Sequence, residues 1–524
     1  MISFLFTIYA LLFILRTSFV IDGERYFALF DDAMISMRYA KNLAQGHGLV
    51  WNPGGEKLEG FTNPLWVLYM AVFHLFPIAV SKVSLWIQAT GALFLVANLF
   101  VVRKIANSVF DDSTVVSTGA VFLTAFYLPL NCWSLMGMEV APLTLLLSLA
   151  VWRSFHCLNK YSISPYVILG ICTLLRMDMV VPYVVIWIFL IVNNPQQRRK
   201  NFRAGLLVLL ACILSQTLFR LWYFGEWLPN TYYLKLTGYP FLPRVTRGLF
   251  VFFKLVLKMD PILFLLAGMT FFYKRDRRVV FMFLVLAGQI LYSIYVGGDT
   301  WERRGGSNRY ISAAMPLFFI LFSYALLRTL HVLFESARVS ESLKRRMRDI
   351  APRYVFPVLL ISSFVTFNCT YGPQALSELA LVRVPLVGND NESMVRQGLL
   401  IRTITRPEAK VAVVWAGSIP YFSDRYCIDI LGKCDRRIAR QESRTDHGLR
   451  KWVAFYPGHS KWDYRYSIVE QKPDLVMQLW SNQDEILPFI EQHYVHVQTS
   501  FADMRIRKDS PYILWDRVRD MQTR

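Results

Sequence analysis

Apolar runs that are long enough, or nearly long enough, to cross a bilayer recur along the chain. They lie at about 2–20, 83–102, 115–131, 140–154, 204–222, 248–273, 279–297, 311–331 and 354–371, with shorter runs at 163–175 and 180–193 flanking Arg176 and Asp178. One further run, 64–80, starts at Pro64, ends near Pro77 and carries His74. A lipid-exposed span of that length would be short, so it reads as an interfacial or re-entrant helix, and the pattern predicts eleven crossings. The first run has no charged segment before it and no small-residue cleavage signal after it, so it is expected to stay as a helix rather than leave as a signal peptide.

The polar intervals divide into two kinds. "RK" at 103–104, "QQRRKNFR" at 196–203, "KRDRR" at 274–278 and "KRRMRD" at 344–349 are short and basic, which marks cytoplasmic loops, and an even number of predicted spans separates each pair. The same parity sends 21–82, 131–139, 176–179, 225–247, 298–310 and everything after 371 to the outer side. Residues 372–524 contain no membrane-length apolar run. Strand-like stretches ("AKVAVVWAG", "PDLVMQLW") alternate there with a helix-like one ("DEILPFIEQHY"), and the length suffices for one α/β domain outside the membrane. The expected domains are thus 1–371, which contains the first outer loop 21–82, and 372–524.

Composition fits a bilayer protein: 54% of residues are hydrophobic and 18% charged. The formal charge of +20 is then a topology signal rather than a nucleic-acid footprint, and nucleic acid is not an expected partner. Seven cysteines make no disulfide framework; Cys427 and Cys434 in the outer tail are either a local bridge or two thiols.

The chemistry-bearing residues gather on the outer loops. Asp31 and Asp32 start the helix-like "DDAMISMRYAKNLAQG", where one carboxylate can take a proton from a hydroxyl and the other can orient a neighbour; the same pair can simply cap the helix. Glu139 either joins a site or caps the helix that begins "VAPL", and Asp299 follows two glycines on a turn that is either functional or ordinary. Arg309 suits a phosphate or a headgroup; Arg244, Arg247, Lys254 and Lys258 place positive charge at the outer surface, for a lipid phosphate or for headgroups. The lone histidines make no zinc set; no cofactor is required, and an oxygen-bound Mg²⁺, Mn²⁺ or Ca²⁺ at Asp31 and Asp32 stays open.

"DDAMISMRYAKNLAQGHGLVWNPGGEKLEGFTNPLW" resembles the first outer loop of the GT-C glycosyltransferases, specifically the terminal arabinofuranosyltransferases of mycobacterial cell-wall synthesis and the related pilin arabinosyltransferases. "WSLMGMEVAPL", "LLRMDMVVPY", "RLWYFGEWLPNTYYLK", "YVGGDTWERRGGSNRYISAAMPL", "AGSIPYFSDRYCIDILG" and "YPGHSKWDYRYSIVEQKPDLV" continue the resemblance in order over most of the chain. It implies a polytopic α-helical GT-C membrane protein with about eleven spans and a C-terminal α/β domain, in a bacterial inner membrane, with the site facing the periplasm. The implied reaction moves arabinofuranose from a decaprenyl or undecaprenyl phosphate to a glycan, a lipid-linked glycan or a pilin-type protein. By position in the family motif Asp31 or Asp32 is the base; Arg309, Lys235 and Arg176 are expected on the lipid phosphate. Arg38, Glu59, Asn63, Glu139, Asp178, Asn230 and Asp299 are expected to hold sugar hydroxyls or order loops, and His459 and Lys461 to meet the acceptor. Two departures bear on this: "RMD" stands where the family has Arg-Pro-Glu or Arg-Pro-Asp, and "ERRGG" follows Asp299. The rival readings are the same fold with a mannose- or aminoarabinose-type donor, and a transporter of lipid-linked sugars. A transporter would place its ionisable groups near the bilayer midplane.

Overall fold

The computed structural model describes residues 1–302, 308–336, 340–342, 346, 350–385, 388–444 and 456–522. Each expected apolar run holds a helix, beginning with Ile2–Arg16 and Val80–Val109 and ending with Met315–Ser336 and Phe356–Asn368. Among the described residues four helices are long and apolar enough to cross a membrane by themselves, and a fifth span arises if Thr114–Ala125 and Leu128–Leu135, bent by 52°, count as one. Six shorter apolar helices of 10–17 residues, among them Val140–His156, Ser164–Leu175 and Met177–Asn193, accompany them. Helix length alone therefore does not carry eleven crossings.

Two runs differ from their expected form. The run 248–273 is two helices, Phe241–Lys258 and Pro261–Tyr273. They break at Asp260, which has φ +68° and accepts the Ile262 N–H at 2.8 Å, while Pro261 occupies the first helical position. The run 2–20 ends as a helix at Arg16, and residues Phe19–Ile21 (β1) pair antiparallel with Glu24–Tyr26 (β2). Asp22 and Gly23 both have positive φ in the two-residue turn between them, the conformation that matches hairpin twist. Pro64–His74 is an 11-residue helix, about 16 Å long and too short to span. It lies against the Asp31–Ala44 helix.

The basic loops meet at one end of the helical body. Arg277 donates to the Asn193 carbonyl at 3.2 Å, Lys274 pairs with Asp111 at 2.7 Å, and Arg278 reaches the Ser108 carbonyl. The chain beside three of the four basic runs thus lies together, although 103–104 is inside the Val80–Val109 helix and 198–203 opens the Arg198–Phe224 helix; of "KRRMRD", only Arg346 lies among the described residues.

The tail builds a five-stranded sheet in the order β4-β3-β5-β7-β6 from Lys410–Val413 (β3), Tyr426–Asp429 (β4), Leu475–Val476 (β5), Tyr494–Gln498 (β6) and Asp503–Arg507 (β7). β3 runs parallel to β4 and β5, with Val411 opposite Cys427 and Leu475; β7 runs antiparallel to β5 and β6. The sheet buries β3 residues Val411, Ala412 and Val413 completely. Cys427 and Cys434 are both free thiols.

The tail and the first loop interlock. The short helix Ser418–Ser423 packs between Asn391–Ile404 and Asp31–Ala44. Arg38 donates to the carbonyls of Trp51, Pro420 and Arg425 and to Asn52 Oδ1, while Trp51 Nε1 donates to the Ala416 carbonyl at 3.1 Å. Four of the five guanidinium N–H donors are engaged in this way, and the fork ties the two segments together.

Candidate active site

Asp31 and Asp32 open the first turn of the Asp31–Ala44 helix, but neither caps it. The cap position is Phe30, and no side chain bonds to the helix N-terminus. Asp31 turns to the tail instead: its Oδ1 accepts the Ser418 N–H at 2.9 Å, and its Oδ2 is buried without a partner among the described residues. Burial pushes its carboxyl up to about 6, against the opposing pull of Lys433 and the Ser418 N–H. This close approach requires Gly417, where a Cβ would stand 2.0 Å from the Asp31 carbonyl oxygen and 2.7 Å from Oδ1. Gly417→Ala should therefore destabilise the protein by about 1–3 kcal/mol and shift the tail off the first loop, read as a lower thermal midpoint together with lost turnover.

Asp32 faces the other way, into a group of cations. Its Oδ1 meets Lys433 Nζ and its Oδ2 meets Arg309 Nη1, each at 3.1 Å. Burial raises its carboxyl, but Lys433, Arg309 and Lys235 together outweigh that and hold it well below the usual carboxylate range. Asp299, placed after Gly297 and Gly298 with their positive φ, accepts Arg309 Nε at 2.8 Å and Nη2 at 3.0 Å, so the guanidinium bridges two carboxylates as a fork. Asp299 N–H is in turn held by Glu302 at 2.5 Å, and Arg247 pairs with Glu302 at 3.2 Å while donating to the Gly297 and Asp299 carbonyls. Of the charged group "ERRGG", only Glu302 is among the described residues.

Arg247 thus serves a loop rather than a headgroup, and so does Arg244, which donates to the Tyr295 and Leu236 carbonyls at 3.1 and 3.2 Å. Lys254 and Lys258 are exposed on the same helix.

Beside this group lies a cavity of about 160 Å³ lined by Lys235, Arg176, Asp178, Glu59, Arg220, Tyr292 and Tyr310, among others. Its arginines are already paired. Arg176 forks onto Asp178 with two 2.9 Å bonds and reaches Glu139 at 3.2 Å. Glu139 also accepts Asn63 Nδ2 at 2.9 Å and makes no side-chain cap on its helix, and Asn63 accepts the Ser36 hydroxyl at 2.9 Å. Arg220 is bound by Glu59. Lys235 is the exception: it makes no hydrogen bond or ion pair among the described residues. Burial, then the Arg309 charge, brings its ammonium down to about 8.

The remaining sequence-predicted residues divide. His459 is buried with its ring edge-on to Trp301 at 5.9 Å. Its Nδ1 faces the Pro457 carbonyl at 3.2 Å, so Nδ1 carries the hydrogen and Nε2, which has no partner among the described residues, presents a lone pair. Burial, with Lys433 nearby, takes it down to about 3, and it is neutral across the physiological range. Asn230 donates to the Gly432 and Lys433 carbonyls at 2.9 and 3.0 Å, which fixes the turn that carries Lys433. Lys461 is spent on the Tyr233 and Ala439 carbonyls at 2.9 and 2.8 Å, and Arg38 on the interlock described above, so neither is brought to the cavity. Sequence reasoning missed Lys433, Tyr292 and Tyr310. Lys433 follows Gly432, which has φ +78°, and that glycine was the one local sign of a turn shaped to present a side chain.

A divalent cation at Asp31 and Asp32 does not fit this donor set. Both Asp32 oxygens face cationic nitrogens, and among the described residues no three His, Cys, Asp or Glu side chains converge.

An apolar groove of about 450 Å³, lined by Phe61, Leu65, Leu68, Phe219, Trp222 and Tyr223 among others, adjoins the cavity and shares Glu59 and Arg220 with it. Several of its walls face outward: Trp222 is 79% exposed and Leu68 47%.

Residues 386–515 match a family described as "Domain of unknown function (DUF8728)". No curated protein matches the sequence. Among solved structures the chain is similar to ArnT from Cupriavidus metallidurans bound to undecaprenyl phosphate, with 12% identity and a TM-score of 0.54 over 97% of this chain and 98% of that one. It is also similar to the apo state of the same protein, with 12% identity and a TM-score of 0.53 over 96% and 97%. The architecture is therefore of the GT-C type seen in ArnT, a polytopic helical membrane body with a C-terminal α/β domain.

Proposed function

We propose that this protein is a membrane glycosyltransferase that moves a sugar, D-arabinofuranose by the resemblance of its motifs, from a polyprenyl phosphate to a surface glycan, a lipid-linked glycan or a pilin-type protein. The observation that carries the reading is Lys235, a half-buried lysine with no hydrogen bond or ion pair among the described residues, in a charged cavity that shares Glu59 and Arg220 with an apolar, lipid-facing groove. That combination fits an anionic head on an isoprenoid chain, and undecaprenyl phosphate is the ligand of the solved ArnT. In this reading residues 1–371 form the membrane domain and 372–524 an outer domain, and the site faces the periplasm of a bacterial inner membrane.

Asp32 is the base. It is the more open of the pair, with 18% of its side chain exposed, and a base must first reach the hydroxyl. The acceptor oxygen bonds to the anomeric carbon as the bond from that carbon to the phosphate oxygen breaks, and the acceptor proton passes to Asp32. Lys235 and Arg309 offset the charge that develops on the leaving phosphate. His459 Nε2 can accept a hydrogen from an acceptor hydroxyl, and Asp31 positions the helix from behind. Arg176, held between Asp178 and Glu139, is a preset wall of the cavity.

The test is release of polyprenyl phosphate from synthetic polyprenyl-phosphate arabinofuranose by the purified protein with a membrane extract as acceptor source. Turnover is expected. Turnover with only a mannose or aminoarabinose donor would keep the enzyme and change the sugar; silence with every lipid-linked donor would overturn the reading in favour of a transporter.

A further inference from the structure

Glu59 and Arg220 are the two residues common to the charged cavity and the apolar groove. They form a buried ion pair, with side-chain exposures of 5% and 3%. Arg220 belongs to the Arg198–Phe224 helix and Glu59 to the first loop. The pair is braced on both sides: the Glu59 carbonyl accepts the Asn230 N–H at 3.0 Å, and Arg220 Nη1 donates to the Trp227 carbonyl at 3.3 Å. An amphiphile with its head in the cavity and its chain in the groove must cross this boundary, so its phosphate–lipid linkage lies against these two side chains. A fixed carboxylate there repels the phosphate, whereas the guanidinium beside it attracts one. An ion pair buried inside a protein is also a poor source of stability, because desolvation of both charges offsets most of their attraction.

We propose, on the basis of the polyprenyl-phosphate reading above, that Arg220 is a phosphate-binding residue held in reserve by Glu59, and that the lipid phosphate takes over Arg220 from the carboxylate when the donor enters. Glu59 is then a positioning residue of the lipid path rather than a ligand of sugar hydroxyls. It keeps the guanidinium ordered and neutralised in the empty site, and its competition weakens phosphate binding enough for the polyprenyl phosphate product to leave. Removing the carboxylate alone leaves a buried, uncompensated cation whose best remaining partner is the incoming anion.

The experiment measures binding of undecaprenyl phosphate and of undecaprenol, the same chain without the phosphate, to the full-length protein in detergent or nanodiscs. Glu59→Gln should bind the phosphate about tenfold more tightly, Arg220→Gln about tenfold or more weakly, and Arg220→Lys should recover part of that loss; none should change the affinity for undecaprenol. Should Glu59→Gln fail to fold, the double variant E59Q/R220Q removes both charges and should bind the phosphate more weakly than wild type but more tightly than Arg220→Gln, which keeps the repelling carboxylate. The proposal is overturned if Glu59→Gln weakens or leaves unchanged the binding of the phosphate. It is equally overturned if the phosphate and the alcohol shift together, or if Arg220→Gln or the double variant binds the phosphate as wild type does. If wild type binds neither ligand, the polyprenyl-phosphate reading itself fails.

Discussion

Asp32→Asn is expected to lower single-turnover release of polyprenyl phosphate by about 10²–10⁴-fold, the range set by removal of a general base, without weakening donor binding. The donor site should hold because the variant keeps Lys433, Arg309 and Lys235 and removes the anion that opposes a phosphate there. Asp31→Asn should cost far less, about tenfold, because an asparagine oxygen still accepts the Ser418 N–H. The two variants should also differ in pH response. Burial lifts Asp31 to about 6, so wild-type turnover should fall as the pH drops below about 6 and that carboxylate takes a proton. Asp32, held low by its cations, stays charged through the same range, so the acid limb should disappear in D31N. Equal losses in both variants, or an acid limb that survives in D31N, would transfer the base role to Asp31 or to neither.

How much of this was legible in the sequence follows from how far apart the partners lie. The apolar runs, the basic loops and the strand pattern of the tail are local signals, and the helices and sheet follow them. The break at Asp260 had a local signal too, an Asp-Pro step, which the unbroken hydropathy of 248–273 masked. The Asp31–Asp32 pair was visible as a candidate, but the cations that distinguish its members are not neighbours: Arg309 is 277 positions away from Asp32 and Lys433 is 401. In "GKCD" only the glycine before it, a sign of a turn, sets Lys433 apart from other tail lysines, and it says nothing of Asp32. The reverse error has the same origin. A buried arginine or lysine that serves backbone carbonyls, such as Arg38 or Lys461, looks in sequence like one that waits for a ligand. Only the count of its engaged donors separates the two. By that count, among the described residues, Arg176 and Arg220 are engaged and Lys235 is not, a distinction no motif carries.

Lys235→Met should accordingly be the most damaging change on the donor side, with kcat/KM for the lipid-linked sugar lowered about 10²-fold, the expected cost of removing a desolvated cation from a phosphate. The pH response gives a sharper test than the loss itself. Burial and the neighbouring Arg309 charge bring the Lys235 ammonium down to about 8, although Asp32 and Asp299 pull the other way. A lysine lowered in this way is charged below that value and neutral above it. Wild-type kcat/KM, which reports the free enzyme, should therefore decline as the pH rises through about 8. Lys235→Arg keeps its charge over the whole range and should lose that alkaline limb while retaining a measurable part of the activity, whereas Lys235→Met should be flat and low on both sides. Lys433→Met is the control. Lys433 is paired with Asp32, which together with Asp31 outweighs its burial and raises its ammonium above the ordinary value, so the loss of its charge should keep an alkaline limb and move it to higher pH, because Lys433 is one of the charges that lower Lys235. An alkaline limb that persists in Lys235→Arg would mean that another group titrates there, and the unpaired ammonium would no longer explain how the cavity holds an anion.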